Sequence, residues 1–108
     1  MQMKHYEVLI SDKAKEDMDA IYTYIAETLL EPVTAVKQYN RIADAILTLE
    51  EMPERIRLMN TEPERSRGLR PLLVDTYTVF FIIHIKTVYI ARVLFSGSDI
   101  RRKLMEED

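Results

Sequence analysis

The chain has 108 residues and a formal net charge of −3 at pH 7, with 47% hydrophobic and 31% charged residues. That suffices for one modest core and not for two, so a single domain over residues 1–108 is expected. Zero cysteines exclude disulfides and thiolate metal sites, and two glycines with four prolines leave no room for a flexible linker.

Tyr6, Val8 and Ile10 alternate with Glu7 and Leu9, which predicts a short first strand. Ser11 follows as a natural helix N-cap, with Asp12 in the first turn where negative charge is favoured. Ala14, Met18, Ile21, Tyr22, Ile25 and Leu29 then recur at helical spacing. Pro32 suits the first position of a second helix and discourages the first from passing Leu30. The second apolar stripe runs Ala35, Val36, Tyr39, Ile42, Ala43, Ile46, Leu47 and Leu49, and Pro53 closes it. The short connection makes the two helices an antiparallel hairpin.

Residues 54–67, ERIRLMNTEPERSR, follow neither period and read as one long loop. Three runs rich in Val, Ile, Tyr, Phe and Thr come next, at 69–74, 77–85 and 87–95, and predict a β-meander. Asp75 and Thr76 suit its first turn, and Lys86 the tip of its second. Ser96, Gly97 and Ser98 end the last strand, and Asp99 is a plausible N-cap for a short helix from Ile100 to Glu106. The order β-α-α-β-β-β-(α) is an α+β fold, a small antiparallel-rich sheet with the helical hairpin packed on one face. Strands this apolar exceed what two helices cover.

The net charge hides an asymmetry. Residues 1–54 carry 5 Lys+Arg against 11 Asp+Glu, a balance of −6. Residues 55–103 carry 10 against 4, a balance of +6, and the tail adds Glu106, Glu107 and Asp108. Such a dipole fits steering of an anionic or acidic partner, and equally two ordinary solvated surfaces. The opening MQMKHYEVLI lacks the apolar core of a secretory leader. The longest apolar run, Val79 to Ile83, is far short of the roughly 20 residues a membrane helix needs. A cytoplasmic protein without membrane contact is expected.

In this order and at these intervals, four stretches cover nearly the whole chain: YEVLISDKAKEDMDAIYTYIAE, ILTLEEMP, LRPLLVDTYTVFFII and VYIARVLFSGSDIRRKL. Together they resemble the RelE/ParE superfamily of toxins from bacterial type II toxin–antitoxin systems. The resemblance implies a growth-arresting toxin of a plasmid-stabilisation-like module, held by a cognate antitoxin as a dimer or hetero-oligomer, with no metal and no cofactor. Two activities occur on that fold, so enzyme and binding protein both stay open. RelE-like members cut messenger RNA on the ribosome, and ParE-like members inhibit DNA gyrase. A degenerate member that binds antitoxin without toxicity is the third outcome.

Metal-independent RNA cleavage needs a base, an acid and cations around one phosphate. Arg70 and Arg92 stand at positions that are often basic in that superfamily and His84 ends a strand, so these three are the candidate catalytic residues. Tyr77 and Tyr89 are further proton donors, although Tyr77 also suits the core. Arg70 and Arg92 also fit as strand-face residues paired with Glu7 or Asp75. Arg65 and Arg67 in the long loop, with Arg101, Arg102 and Lys103 on the outer face of the last helix, are candidate target- or antitoxin-binding residues. Many relatives have a pattern like VLHxRRD after the last strand, where this chain reads VLFSGSD. A His-Tyr pair that ends another branch is also missing, and a pI near 5.4 is low for binding ribosomal RNA. These departures favour ParE-like binding, with Phe95 expected to pack inward in place of a catalytic histidine.

Overall fold

The structure is a computed structural model and describes residues 5–106. The acidic end of the tail, Glu107 and Asp108, and the opening residues 1–4 lie outside that range. The strands are β1 (Glu7–Ile10), β2 (Arg70–Val74), β3 (Tyr77–His84) and β4 (Thr87–Phe95), and the helices are α1 (Asp12–Thr23), α2 (Pro32–Leu47) and α3 (Ile100–Leu104). They form a four-stranded mixed sheet in the order β1-β4-β3-β2, in which β1 runs parallel to β4 and the other pairs are antiparallel.

Local chemistry sets the helix boundaries. The Ser11 hydroxyl accepts from the Ala14 N–H and donates to the Ala91 carbonyl, so one side chain caps α1 and ties it to β4. Beyond Thr23 the chain widens into a π-turn at Tyr24–Thr28 and stops at Leu30, whose φ is 57°. Pro32 opens α2 at its first turn. Both stripes are narrower than the spacing implied. Ala14, Met18, Ile25, Ala35, Ile42 and Ile46 are buried, whereas Tyr22, Leu29, Val36 and Leu47 face out. Adjacent residues on a helix are about 100° apart, so one of each pair 35/36 and 46/47 must leave the core.

The main core lies between the helices and one face of the sheet. Met18, Ile42, Ile46 and Leu49 pack there against Val79, Phe81, Val88, Ile90 and Val93. The opposite face has its own cover. Leu69, Phe80, Leu94 and Leu104 form a second cluster with Met59 and Ile100 against it, so part of the long loop and α3 shelter strand surface that the hairpin cannot reach. Among the described residues no helix is long and apolar enough to cross a membrane.

β3 is one residue shorter than the expected run, because Ile85 belongs to the turn. Both hairpins have two-residue loops whose first residue, Asp75 or Ile85, has positive φ, the backbone twist that suits tight hairpins. For a β-branched residue at φ 58° that conformation is strained, and Ile85 is 81% exposed. Ile85→Gly should therefore raise stability by about 1 kcal/mol in urea unfolding, strain relief outweighing the extra chain entropy. A lower urea midpoint would show that the Ile85 side chain makes contacts that outweigh its strain.

Candidate functional site

β4 outruns β1: their pairing ends at Ile10↔Ile90, so residues 91–95 have no strand on that side. The β3–β4 register also slips there, since Phe81 faces Ile90 while Phe80 faces Arg92 and Ala91 is left over. Side chains of α1 take the place of the missing strand. Asp17 accepts the Val93 N–H at 2.9 Å and grips Arg92 through both carboxylate oxygens, at 2.7 and 2.9 Å. The remaining arm of Arg92 donates to the Lys103 carbonyl at 2.8 Å and lies 3.6 Å from Glu106. The two partners are nearly enclosed, with side chains 11% and 12% exposed. The Asp17 hydrogen bonds hold the guanidinium above its ordinary pKa against the cost of burial. Arg92 thus joins α1, β4 and the end of α3, and neither Glu7 nor Asp75 is its partner. Asp75 instead binds Arg41 at 2.7 Å and Gln38 at 3.1 Å.

Asp17 is the residue that sequence reasoning missed. The signal was present: it stands three residues after Ala14 and four before Ile21, so helical spacing puts an acid on the buried flank of α1.

A second set of contacts ties α3 to the loop. Arg101 donates to the Glu62 carbonyl at 2.9 Å and approaches Glu64 at 3.4 Å, while Arg67 donates to the Leu104 carbonyl at 3.0 Å. Glu64 is 3% exposed, and its Oε1 accepts from the Thr61 hydroxyl at 2.6 Å. That hydrogen bond, helped by the charge of Arg101, keeps its carboxyl below the usual carboxylate range although burial pushes the other way. Of the five expected binding residues, Arg67 and Arg101 are therefore engaged in holding the C-terminal segment. Among the described residues Arg102 pairs only with Asp99 at its own helix start, at 3.4 Å. Lys103 is half-buried and contributes its backbone carbonyl to Arg92.

Arg70 donates to the Ile56 carbonyl at 2.6 Å, which pins the loop against the start of β2. Beside it opens a cavity of about 830 Å³ whose wall includes Arg57, Arg65, Asn60, Glu54 and Pro71. A groove of about 590 Å³ lies across the molecule, between α1 with its π-turn and the end of β4, lined by Tyr24, Leu29, Tyr77 and Phe95. Phe95 does not pack inward: it is 52% exposed and meets Tyr77 edge-on at 6.1 Å. Val93 and Leu94 already fill the two cores, and the next residue lies beyond the cover of α1. The Phe95 ring lies over Gly97, where an added Cβ would come within 2.6 Å of it, so any larger residue there would displace the ring.

The three candidate catalytic residues do not meet. His84 is exposed at the far end of β3, four residues from Phe80, which puts it about 13 Å along the strand from the level of Arg92. Arg70 pairs with Phe81 and His84 stands three residues on, so alternation sends them to opposite faces of the sheet. Tyr77 is half-buried, burial raising its pKa, and Tyr89 is exposed on the face opposite the hairpin.

Two outcomes test this geometry. Asp17→Ala leaves Arg92 enclosed without its carboxylate and should cost about 3–5 kcal/mol, whereas Arg102→Ala should stay within about 0.5 kcal/mol. Equal losses in denaturant unfolding would contradict the special place of Arg92. The second outcome is a pH dependence. Because the folded pKa of Glu64 is depressed, its stabilising effect is complete above the unfolded value of about 4.3 and is lost as pH falls through the lower folded value. The stability gap between wild type and Glu64→Gln should thus be constant near neutrality and narrow in acid. A gap that widens on acidification would reverse the assignment.

Comparison with known proteins agrees with this architecture. A chromosomal ParDE toxin–antitoxin system from P. aeruginosa contains a chain of similar fold, at TM-score 0.71 and 23% identity over 85% of this chain and 97% of that one. The toxin–antitoxin complex RelBE2 from Mycobacterium tuberculosis matches at TM-score 0.60 and 19% identity, over 84% of this chain and 98% of that one. YafQ from E. coli strain BL21(DE3) matches at TM-score 0.50 and 11% identity, over 85% and 94%. No curated protein is significantly similar in sequence. Residues 8–100 match the family described as ParE toxin of type II toxin-antitoxin system, parDE, a span that includes Asp17, Arg92 and the whole sheet apart from the first residue of β1. The chain belongs to the ParE toxin family of type II toxin–antitoxin systems.

Proposed function

We propose that this ParE toxin acts by binding a protein target, DNA gyrase, and that a cognate antitoxin neutralises it in the cytoplasm. The observation that carries this reading is the state of Arg92. A cation that stabilises a phosphorane must face the substrate, and this one is enclosed by Asp17 and the end of α3. With His84 remote from both Arg70 and Arg92, the three candidate catalytic residues do not surround one point. RelE-like cleavage of messenger RNA is the reading this geometry disfavours.

Protein contact has surfaces to use. Tyr24, Leu29 and Phe95 expose apolar area around the groove, and Leu30 and Val33 continue it onto the hairpin tip. Arg65 and Arg102 supply exposed cations on the long loop and on α3, which the Arg101 and Arg67 contacts hold together. On this reading the antitoxin would cross the hairpin and follow a sheet edge, where an added strand would satisfy open backbone groups.

Purified chain should inhibit DNA supercoiling by gyrase, and His84→Ala, at an exposed strand end, should leave both inhibition and growth arrest intact. Ribosome-dependent cleavage of messenger RNA by the purified wild type would overturn the reading. Expressed alone, the chain should self-associate, and co-expression with its antitoxin should yield a monodisperse complex. A stable monomer at high concentration would count against the antitoxin placement.

A further inference from the structure

The cavity beside β2 has a chemistry that the proposed function leaves unused. Three guanidinium groups, those of Arg57, Arg65 and Arg70, share its wall with a single carboxylate, Glu54. Elsewhere the exposed arginines find partners: Arg41 binds Asp75, Arg101 approaches Glu64 and Arg102 approaches Asp99. Arg57 and Arg65 make no side-chain hydrogen bond and no ion pair with the described residues, although Arg65 lowers the pKa of Glu62 through space. Glu54 is itself engaged, accepting a hydrogen bond from the buried Tyr6 hydroxyl. Arg70 keeps donors beyond the one given to Ile56, and that same bond fixes where its plane sits. The guanidinium groups therefore converge on one concavity that already has a positive balance.

The rest of the wall tells which anion fits. Leu58 and Pro71 are among the apolar residues that line it, and no lining residue is aromatic. Bases of single-stranded nucleic acid need aromatic faces to stack on, and this wall offers none. The cavity reaches β2 at Arg70 and Pro71, its first two residues, and among the described residues the far side of this outermost strand pairs with no other strand. Carboxylates matched to planar guanidinium groups, aliphatic side chains for the apolar wall and an open edge alongside describe one kind of occupant.

We propose that this cavity binds an extended acidic segment of a partner protein, its carboxylates on Arg57, Arg65 and Arg70 and its alternate aliphatic side chains on the apolar wall. The inference rests on the reading of this toxin as a protein-binding one. It adds a docking site apart from the groove at Tyr24 and Phe95.

The test uses neither gyrase nor antitoxin, so it can fail while the proposed function stands, and the converse also holds. The full chain is titrated with a fluorescein-labelled peptide of alternating glutamate and valine, followed by anisotropy at low salt and again at several times that salt. An oligothymidylate and a lysine–valine peptide serve as the other probes. Saturable binding of the acidic peptide is expected, weaker at higher salt, with about a tenfold loss in Arg57→Gln and a further loss when Arg65→Gln is added. Both positions are exposed and without side-chain hydrogen bonds to the described residues, so the unfolding curves of these variants should match the wild type. Unchanged affinity in the double variant, or no binding of the acidic peptide at low salt, would overturn the proposal. Tighter binding of the oligothymidylate, lost in the same variants, would overturn it in favour of a nucleic-acid site.

Discussion

The Asp17–Arg92 pair is the contact on which the arrangement of this toxin depends. A sheet whose central strand outruns its neighbour has open amides in the middle of the molecule, and burying them unpaired is costly. β4 meets this problem at Ala91 and Val93, and α1 solves it with Ser11 and Asp17. The carboxylate that accepts a backbone N–H needs a counter-charge in so enclosed a place, and the bulge at Phe80/Phe81 delivers Arg92 to it. The same guanidinium then reaches the Lys103 carbonyl at the end of α3. One side chain thereby fixes the docking of the hairpin and the course of the C-terminal segment.

The arginines of the basic half fall into two groups by what they touch. Arg55 caps the carbonyls of Glu51 and Met52, Arg67 that of Leu104, and Arg70 that of Ile56. These hold in place a loop with little regular structure by satisfying carbonyls that no helix or strand claims. Arg57, Arg65 and Arg102 are left facing solvent with at most one local partner. The charge excess read from sequence thus serves two ends, since some of these cations also tie down backbone carbonyls and others only face solvent.

Much of the fold was legible because it rests on local rules. Period-2 alternation, the Ser11 and Asp99 caps and Pro32 at a helix start act within a few residues, and β1 to β4 and α1 to α3 lie where those signals put them. The site was far less legible. Arg92 and Asp17 are 75 positions apart, and their meeting depends on a parallel β1–β4 pairing and a bulge that no local pattern encodes. The sequence reading puts Phe95 inside, in place of the histidine that many relatives have there. Burial instead depends on how far α1 reaches, and it stops short. The second apolar cluster was foreseeable only as an excess of apolar strand surface, since its cover comes from a loop without periodicity.

The position of Phe95 links this geometry to the kind of function the fold performs. Where a polar side chain after the last strand would help form a reaction centre, this chain has a half-exposed ring resting on Gly97 and edge-on to Tyr77. A ring so placed cannot move a proton, but it adds apolar area to a groove that already exposes Tyr24 and Leu29. Nearby, Arg92 is paired with Asp17, whose carboxylate offsets its charge at the wall of that groove. Both changes act in the same direction: charge is withdrawn into the scaffold and apolar surface is put forward. That combination suits recognition of a protein surface, where aromatic anchors dominate binding energy, more than stabilisation of a phosphorane, which needs an exposed, preorganised cation.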